Sequence, residues 1–296
     1  MADTLPTLGV IGGSGLYEMA GLESVQHVQL STPFGHPSDD FVIGTMGGVR
    51  LVFLPRHGRG HRLLPSEINY RANLWGMKHL GVEWLVAVSA VGSLREEIRP
   101  GHLVVPNQFI DRTSRRPSTF FGSGIVAHVS FADPVCPELA ALVVEAARSA
   151  GGTVHDSGTY LCMEGPQFST RAESHLYRQW GAHVIGMTNV QEAKLAREAE
   201  ICFATLALAT DYDCWHESEA DVAIGDVLRI LQQNVSLARA VITAVASCLP
   251  LPRRCVCANA LEHAVITDRS RIPEHLWHDL RPLLAKYSKQ WQRGDE

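Results

Sequence analysis

Two carboxylates, Asp211 and Asp213, stand one residue apart just after an apolar run over residues 201–210. That run is short, rich in β-branched and aromatic members, and closed by polar residues, so it reads as a buried strand. Carboxylates at the C-terminal end of a core strand sit where open α/β sheets place their ligands. The two-residue period of an extended chain predicts that Asp211 and Asp213 point to the same side, one to face a ligand nitrogen and the other to position it. Taken alone, the same residues fit a solvated turn or a helix N-cap equally well.

Other strand ends supply the complementary chemistry. Gly12-Gly13-Ser14-Gly15 follows the first apolar run, where glycines let backbone N–H groups approach an anion and Ser14 adds a hydroxyl. Arg56-His57-Gly58 closes a second run with a guanidinium fork beside an imidazole, a pair suited to an oxyanion. Ser89-Ala90 and Met187-Thr188-Asn189 end two more. A single anion could collect donors from all four ends. No G-x-x-x-x-G-K-[ST] loop occurs and the G-x-G-x-x-G spacing is not met, so the anion is expected to be free phosphate or sulfate rather than a nucleotide tail. No G-x-S-x-G elbow points to hydrolase chemistry.

The elements that would hold these residues alternate along the chain. Strand-like runs fall at 8–11, 51–55, 85–89, 103–105, 160–163, 184–187 and 201–210. Helical periodicity appears over 66–80, 138–150, 171–180 and, most clearly, 226–248. Interleaved strands and helices predict an α/β fold: a single domain with a twisted mixed central sheet flanked by helices. The only break is Pro250-Leu251-Pro252, dividing a domain over 1–250 from a C-terminal helical appendage over 251–296 packed on it. That tail reads as one or two amphipathic helices, with a lid over a site as a second use.

Bulk properties narrow the function. The chain has 296 residues, 46% hydrophobic and 19% charged, with a net charge of -5. That balance argues against nucleic-acid binding, which needs a basic face, and no apolar run is long enough to span a membrane. The N-terminus lacks signal-peptide regions, so a cytoplasmic location is the expectation. Seven cysteines, mostly inside apolar runs, do not suggest a disulfide framework. Cys255-Val256-Cys257 is the exception: free thiols or a redox-sensitive pair fastening the tail. With no C-x-x-C and no His-Glu-x-x-His, no metal site is expected.

Several motifs together resemble one family. Gly12-Gly13-Ser14-Gly15-Leu16, Thr32-Pro33-Phe34-Gly35, Arg56-His57-Gly58, Asn69-Tyr70-Arg71-Ala72-Asn73, Gly92-Ser93-Leu94-Arg95-Glu96-Glu97, the stretch from Glu164 to Ser174, and Asp211-Tyr212-Asp213-Cys214-Trp215 look like the methylthioadenosine phosphorylases of the trimeric purine nucleoside phosphorylase class. The resemblance runs in order from about residue 8 to 248. It implies phosphorolysis of 5'-methylthioadenosine to adenine and 5-methylthioribose 1-phosphate, with no cofactor and no metal, phosphate being a co-substrate. It also implies a homotrimer or a pair of trimers. Carried over by motif, Ser14, Arg56, His57, Ser89, the Ala90 backbone and Thr188 would hold phosphate. Phe168, Ser169, Met187, Asp211 and Asp213 would meet purine and ribose, with Asp211 the general acid. Ile224 would lie near the 5' substituent, and His128 would reach a neighbouring subunit's site.

Three other readings compete with this one, the third a Rossmann dehydrogenase resting on the Gly-rich turn alone. A 6-oxopurine or methylthioinosine phosphorylase would want an amide near O6 and N7, and Asp211 with Ser169 has the opposite polarity. A non-catalytic purine-binding protein would have no use for so many phosphate donors.

Overall fold

The computed structural model describes residues 5–288 apart from Ser14, Tyr17 and 217–223, and of 224–233 it describes the backbone alone. Among the described residues, eleven strands form one sheet. In chain order they are β1 (Thr7–Gly12), β2 (Glu23–Val28), β3 (Phe41–Met46), β4 (Val49–Pro55), β5 (Trp84–Ser93), β6 (Leu103–Val104), β7 (Gln108–Arg112), β8 (Val154–His155), β9 (Thr159–Met163), β10 (Val184–Gly186) and β11 (Cys202–Asp211). The helices are α1 (Tyr70–His79), α2 (Pro137–Ser149), α3 (Arg171–Gln179), α4 (Val190–Glu198), α5 (Ile224–Ser247), α6 (Glu274–Asp279) and α7 (Arg281–Leu284). Parallel and antiparallel pairs mix, as expected of a large sheet covered by helices.

All seven runs read as strands from their apolar character are strands. The pattern missed β2, β3, β7 and β8, and the first two have clear reasons. β2 is an edge strand whose residues are nearly all exposed, and β3 is interrupted by Gly44. Gly44 is required there, because a Cβ would lie 2.6 Å from Leu22 Cδ1. Helix α4 was also missed. Its buried face carries Gln191, Glu192, Arg197 and Glu198, so it lacks the apolar stripe by which a helix is recognised.

The site is shaped by how the sheet divides at β5. In its first half β5 lies between β1 and β11, both parallel to it. The β1 ladder stops at Ile11 opposite Ala87, and β10 takes up the same edge, antiparallel, only at Gly92. Residues 88–91 therefore face a fork on that edge with no strand across it. Side-chain groups and main-chain amides of β5 line the fork. On the other edge β11 stays paired from Cys202 opposite Trp84 to Asp211 opposite Gly92, with a bulge between Ala209 and Asp211.

Two apolar layers cover the sheet. On one face α2 and α5 pack on β11, with Leu139, Val143, Ala238, Ile242 and Val245 buried. On the other face α1 and α4 share a core with the tail, where Leu261, Ile272, Leu280, Leu283 and Leu284 are buried beside Leu74, Met77 and Phe203. Each such leucine contributes about 1.5–3 kcal/mol of burial, so these contacts hold the tail on the body. The described residues of the tail form two short helices, α6 and α7, and three 3-10 turns, and Ile266, counted among its apolar residues, is exposed.

Candidate active site

Arg56 follows β4 and turns its guanidinium into the fork. Its Nη1 donates to the Val88 carbonyl at 2.8 Å and its Nη2 to that of Ile11 at 3.4 Å, so it bridges the ends of the parted strands. The planar fork itself is taken up by Glu192, with Nε–Oε1 at 2.5 Å and Nη2–Oε2 at 2.9 Å. The fork that the sequence offered to an oxyanion is thus largely engaged by the protein itself. Of five N–H groups, these contacts leave one, on Nη1. Burial opposes the charge, but the Glu192 carboxylate more than restores it and holds the Arg56 pKa above its ordinary value.

Val88 accepts on the fork side, and N–H and C=O of alternate strand residues share an edge. The Ala90 N–H therefore points into the fork as well. Next to it lie two hydroxyls, Ser89 Oγ and Thr188 Oγ1, 3.4 Å apart and both buried. The Tyr160 hydroxyl is 3.3 Å from Ser89 Oγ, and burial pushes its pKa up to about 12, so it remains a neutral donor. Thr188 lies two residues before α4, whose N-terminal end carries partial positive charge. Gly186 keeps this corner open, since a Cβ there would sit 1.9 Å from the Tyr160 oxygen.

His57 completes this end. Its Nδ1 lies 2.8 Å from the Leu63 carbonyl, which fixes the proton on Nδ1 and leaves Nε2 as the free nitrogen. The ring stacks on His61 with centroids 4.2 Å apart. Burial drives the His57 pKa down to about 4, helped by the charge on Arg56. The seat thus meets an anion with a neutral imidazole, and a bound dianion would favour its protonation.

The second end lies at the tip of β11. Asp211 is its last residue. One carboxylate oxygen accepts from the Thr210 hydroxyl at 2.7 Å and the other from the Asp213 backbone N–H at 2.8 Å. Asp213 has φ 51, so the chain has already left the extended state. The two carboxylates meet through this tight turn and not by strand alternation, which corrects the geometry expected from the sequence. Both lie against Gly92, where a Cβ would come within 2.9 Å of Asp211 Oδ1. Burial raises both pKa values, and for Asp213 the neighbouring Asp211 adds to it.

The loop from Glu164 to Thr170 borders this end. Ser169 accepts at its carbonyl from the Cys214 thiol at 3.2 Å, which ties it to the Asp213 turn, and its Oγ contacts the Met163 sulfur. Met187 fills the space above Gly165, and Phe168 stands 48% exposed at the rim. His128 is exposed, and its backbone N–H donates to the Ala264 carbonyl in the tail. Ser14 and the side chain of Ile224 lie outside the described residues.

Two positioning residues were missed from the sequence. Glu192 fell in the overlooked helix; the Asn189-x-x-Glu192 spacing is an N-terminal capping signal that would have located α4, but not the ion pair. Arg116 is buried between the two ends. It donates to the Met187 carbonyl at 2.5 Å, to the Tyr70 hydroxyl and Gln191 at 3.3 Å, and to the Glu164 carboxylate. It sits in a polar loop, where no pattern distinguishes it from a surface arginine.

The sequence and the fold that carry this site recur among known proteins. The chain belongs to the phosphorylase superfamily, whose sequence profile matches residues 7–247. Within it, the chain is 60% identical to an S-methyl-5'-thioadenosine phosphorylase of Geobacter sulfurreducens, covering 95% of this chain and 98% of the relative. One from Hyperthermus butylicus is 51% identical, covering 88% and 95%. Among solved structures, a methylthioadenosine phosphorylase from an Antarctic soil metagenomic library superposes with a TM-score of 0.89 at 49% identity, covering 95% of this chain and 99% of that one. A Schistosoma mansoni adenosine/methylthioadenosine phosphorylase variant in complex with methylthioadenosine gives 0.78 at 38% identity, covering 82% and 91%.

Proposed function

We propose that the enzyme is a pentosyltransferase catalysing the phosphorolysis of 5'-methylthioadenosine to adenine and 5-methylthioribose 1-phosphate. The reaction runs without a cofactor, with phosphate as co-substrate. The observation that carries this reading is the joining, through paired strands β5 and β11, of a hydroxyl- and amide-lined anion seat to a buried carboxyl of raised pKa. Breaking the N-glycosidic bond leaves a ribosyl group with oxocarbenium character and a purine gaining negative charge. Phosphate held by Ser14, Arg56, His57, Ser89, the Ala90 N–H and Thr188 lies beneath the sugar, stabilises that cation and attacks the anomeric carbon. No protein nucleophile is needed.

The departing base takes a proton at N7. Asp211, desolvated and hydrogen-bonded by Thr210, supplies it as general acid. In the same position it accepts from the exocyclic amine of adenine, while Asp213, Ser169, Phe168 and Met187 enclose base and ribose. Ile224 borders the 5' substituent and His128 completes a neighbouring subunit's pocket, which makes a homotrimer or a pair of trimers the active, cytoplasmic form. Initial rates with methylthioadenosine, adenosine, methylthioinosine and inosine, each with and without phosphate, test the reading. Strict phosphate dependence and a preference for methylthioadenosine are expected. Faster turnover of the 6-oxopurines would refute it.

A further inference from the structure

We propose that Cys136, Cys202, Cys255 and Cys257 form a structural zinc site that clasps the C-terminal tail to the body. The four Sγ atoms all lie within 4.8 Å of one another, with Cys202 and Cys255 at 3.4 Å. A tetrahedral ion bonded to four thiolates at about 2.3 Å separates its sulfurs by about 3.8 Å. The cluster is therefore close to the shape a zinc ion requires. All seven cysteines of the chain are unbridged, but only these four converge. Cys136, Cys202 and Cys257 are buried and Cys255 is half-buried.

The ligands come from three separate stretches. Cys136 is the N-cap of α2, at the end of a helix that favours a thiolate. Its N–H donates to the Phe203 carbonyl at 2.8 Å, which anchors it beside Cys202 at the start of β11. Cys255 and Cys257 flank the entry to a 3-10 turn in the tail. Near them Arg253 reaches the Glu83 carboxylate at 3.6 Å, and its Nε is buried without a hydrogen-bond partner. Binding would release the four thiol protons to solvent and leave a site of net charge two minus, which the Arg253 cation offsets.

Sequence spacing concealed this arrangement. The expectation of no metal rested on the absence of C-x-x-C, and the pair that exists is C-x-C, completed by two cysteines at distant positions. Two disulfides drawn from the same four residues are the main rival. A bridge brings sulfurs together in pairs, whereas here all four are mutual neighbours, the arrangement a central ion produces.

The test uses the full-length protein, purified with reductant and without chelator, then given zinc and desalted. Elemental analysis should find about one zinc ion per subunit. Replacement by cobalt should give thiolate-to-cobalt charge-transfer absorption, and chelation should lower the melting temperature with turnover at the assay temperature retained. Cys255→Ser and Cys257→Ser should each lose the bound metal. Zinc below roughly a tenth of an ion per subunit would overturn the proposal, as would two disulfides that persist in reductant. Iron bound in preference would overturn the choice of ion. The wild-type measurements decide the matter whether or not the serine variants fold.

Discussion

Strand β11 carries opposite chemistry at its two ends. At the C-terminal end, Asp211 is a buried carboxyl with raised pKa, lying against Gly92 of β5. At the N-terminal end, Cys202 and the preceding Glu200 face the tail: Glu200 accepts from the Leu261 N–H at 3.0 Å and from the Tyr287 hydroxyl, and Lys286 lies 3.3 Å away. One end is arranged for a visiting ligand and the other for a permanent segment of the same chain. Ten residues at about 3.3 Å each separate them, far enough for the two sets to be altered independently. The difference follows from the fold: ligands of open α/β sheets gather at the carboxyl ends of strands, which leaves the amino ends for fastening.

Substitutions can break that division or sharpen it. The largest effect is expected from Arg56→Met, which strands Glu192 as a buried, unpaired charge and should cost about 3–5 kcal/mol of stability, read by denaturant unfolding. Adding Glu192→Leu should restore much of the stability but not phosphate KM. If the double variant also recovers phosphate binding, Arg56 only props the fork open and does not touch the anion.

Asp211→Asn should lower kcat/KM for methylthioadenosine by about 2 kcal/mol or more and favour methylthioinosine relative to it. A raised pKa in a general acid means that activity is present below that pKa and declines as pH rises through it. The asparagine variant should lose that alkaline limb while its melting temperature stays near wild type. An unchanged substrate ratio would show that the carboxyl does not read the base.

Thr188→Val removes one hydroxyl from the seat. Its loss should raise phosphate KM roughly tenfold, about 1.4 kcal/mol, with little change in stability. The smallest effect belongs to the other end of β11. Tyr287→Phe should lower stability by about 1 kcal/mol through loss of its hydrogen bond to Glu200 and leave kcat/KM unchanged. A fall in kcat/KM would mean that the tail's docking reaches the site and that the two ends are not independent.

The sequence made the central strands legible because β1, β4, β5 and β11 are buried on both faces and therefore apolar over most of their length. It hid β2 because an exposed edge strand needs no apolar residues, and α4 because that helix buries charges. The same limit applied to the site. Asp211, Arg56, Ser89 and Thr188 were readable as polar residues at the ends of apolar runs. Glu192 and Arg116, which set the Arg56 side chain and the Met187 carbonyl, were not, since their partners are remote in sequence and no periodicity marks an ion pair. The cysteine cluster was missed for the same reason, its members being separated by as many as 121 residues, from Cys136 to Cys257.

The fork between β1 and β10 has a consequence for anyone designing inhibitors. Its main-chain donor at Ala90 belongs to the peptide itself, so no ordinary side-chain exchange at that position deletes it; only proline lacks the N–H. A compound that grips this amide would leave few routes to resistance there, whereas one that depends on the Thr188 hydroxyl could be escaped by a single codon change.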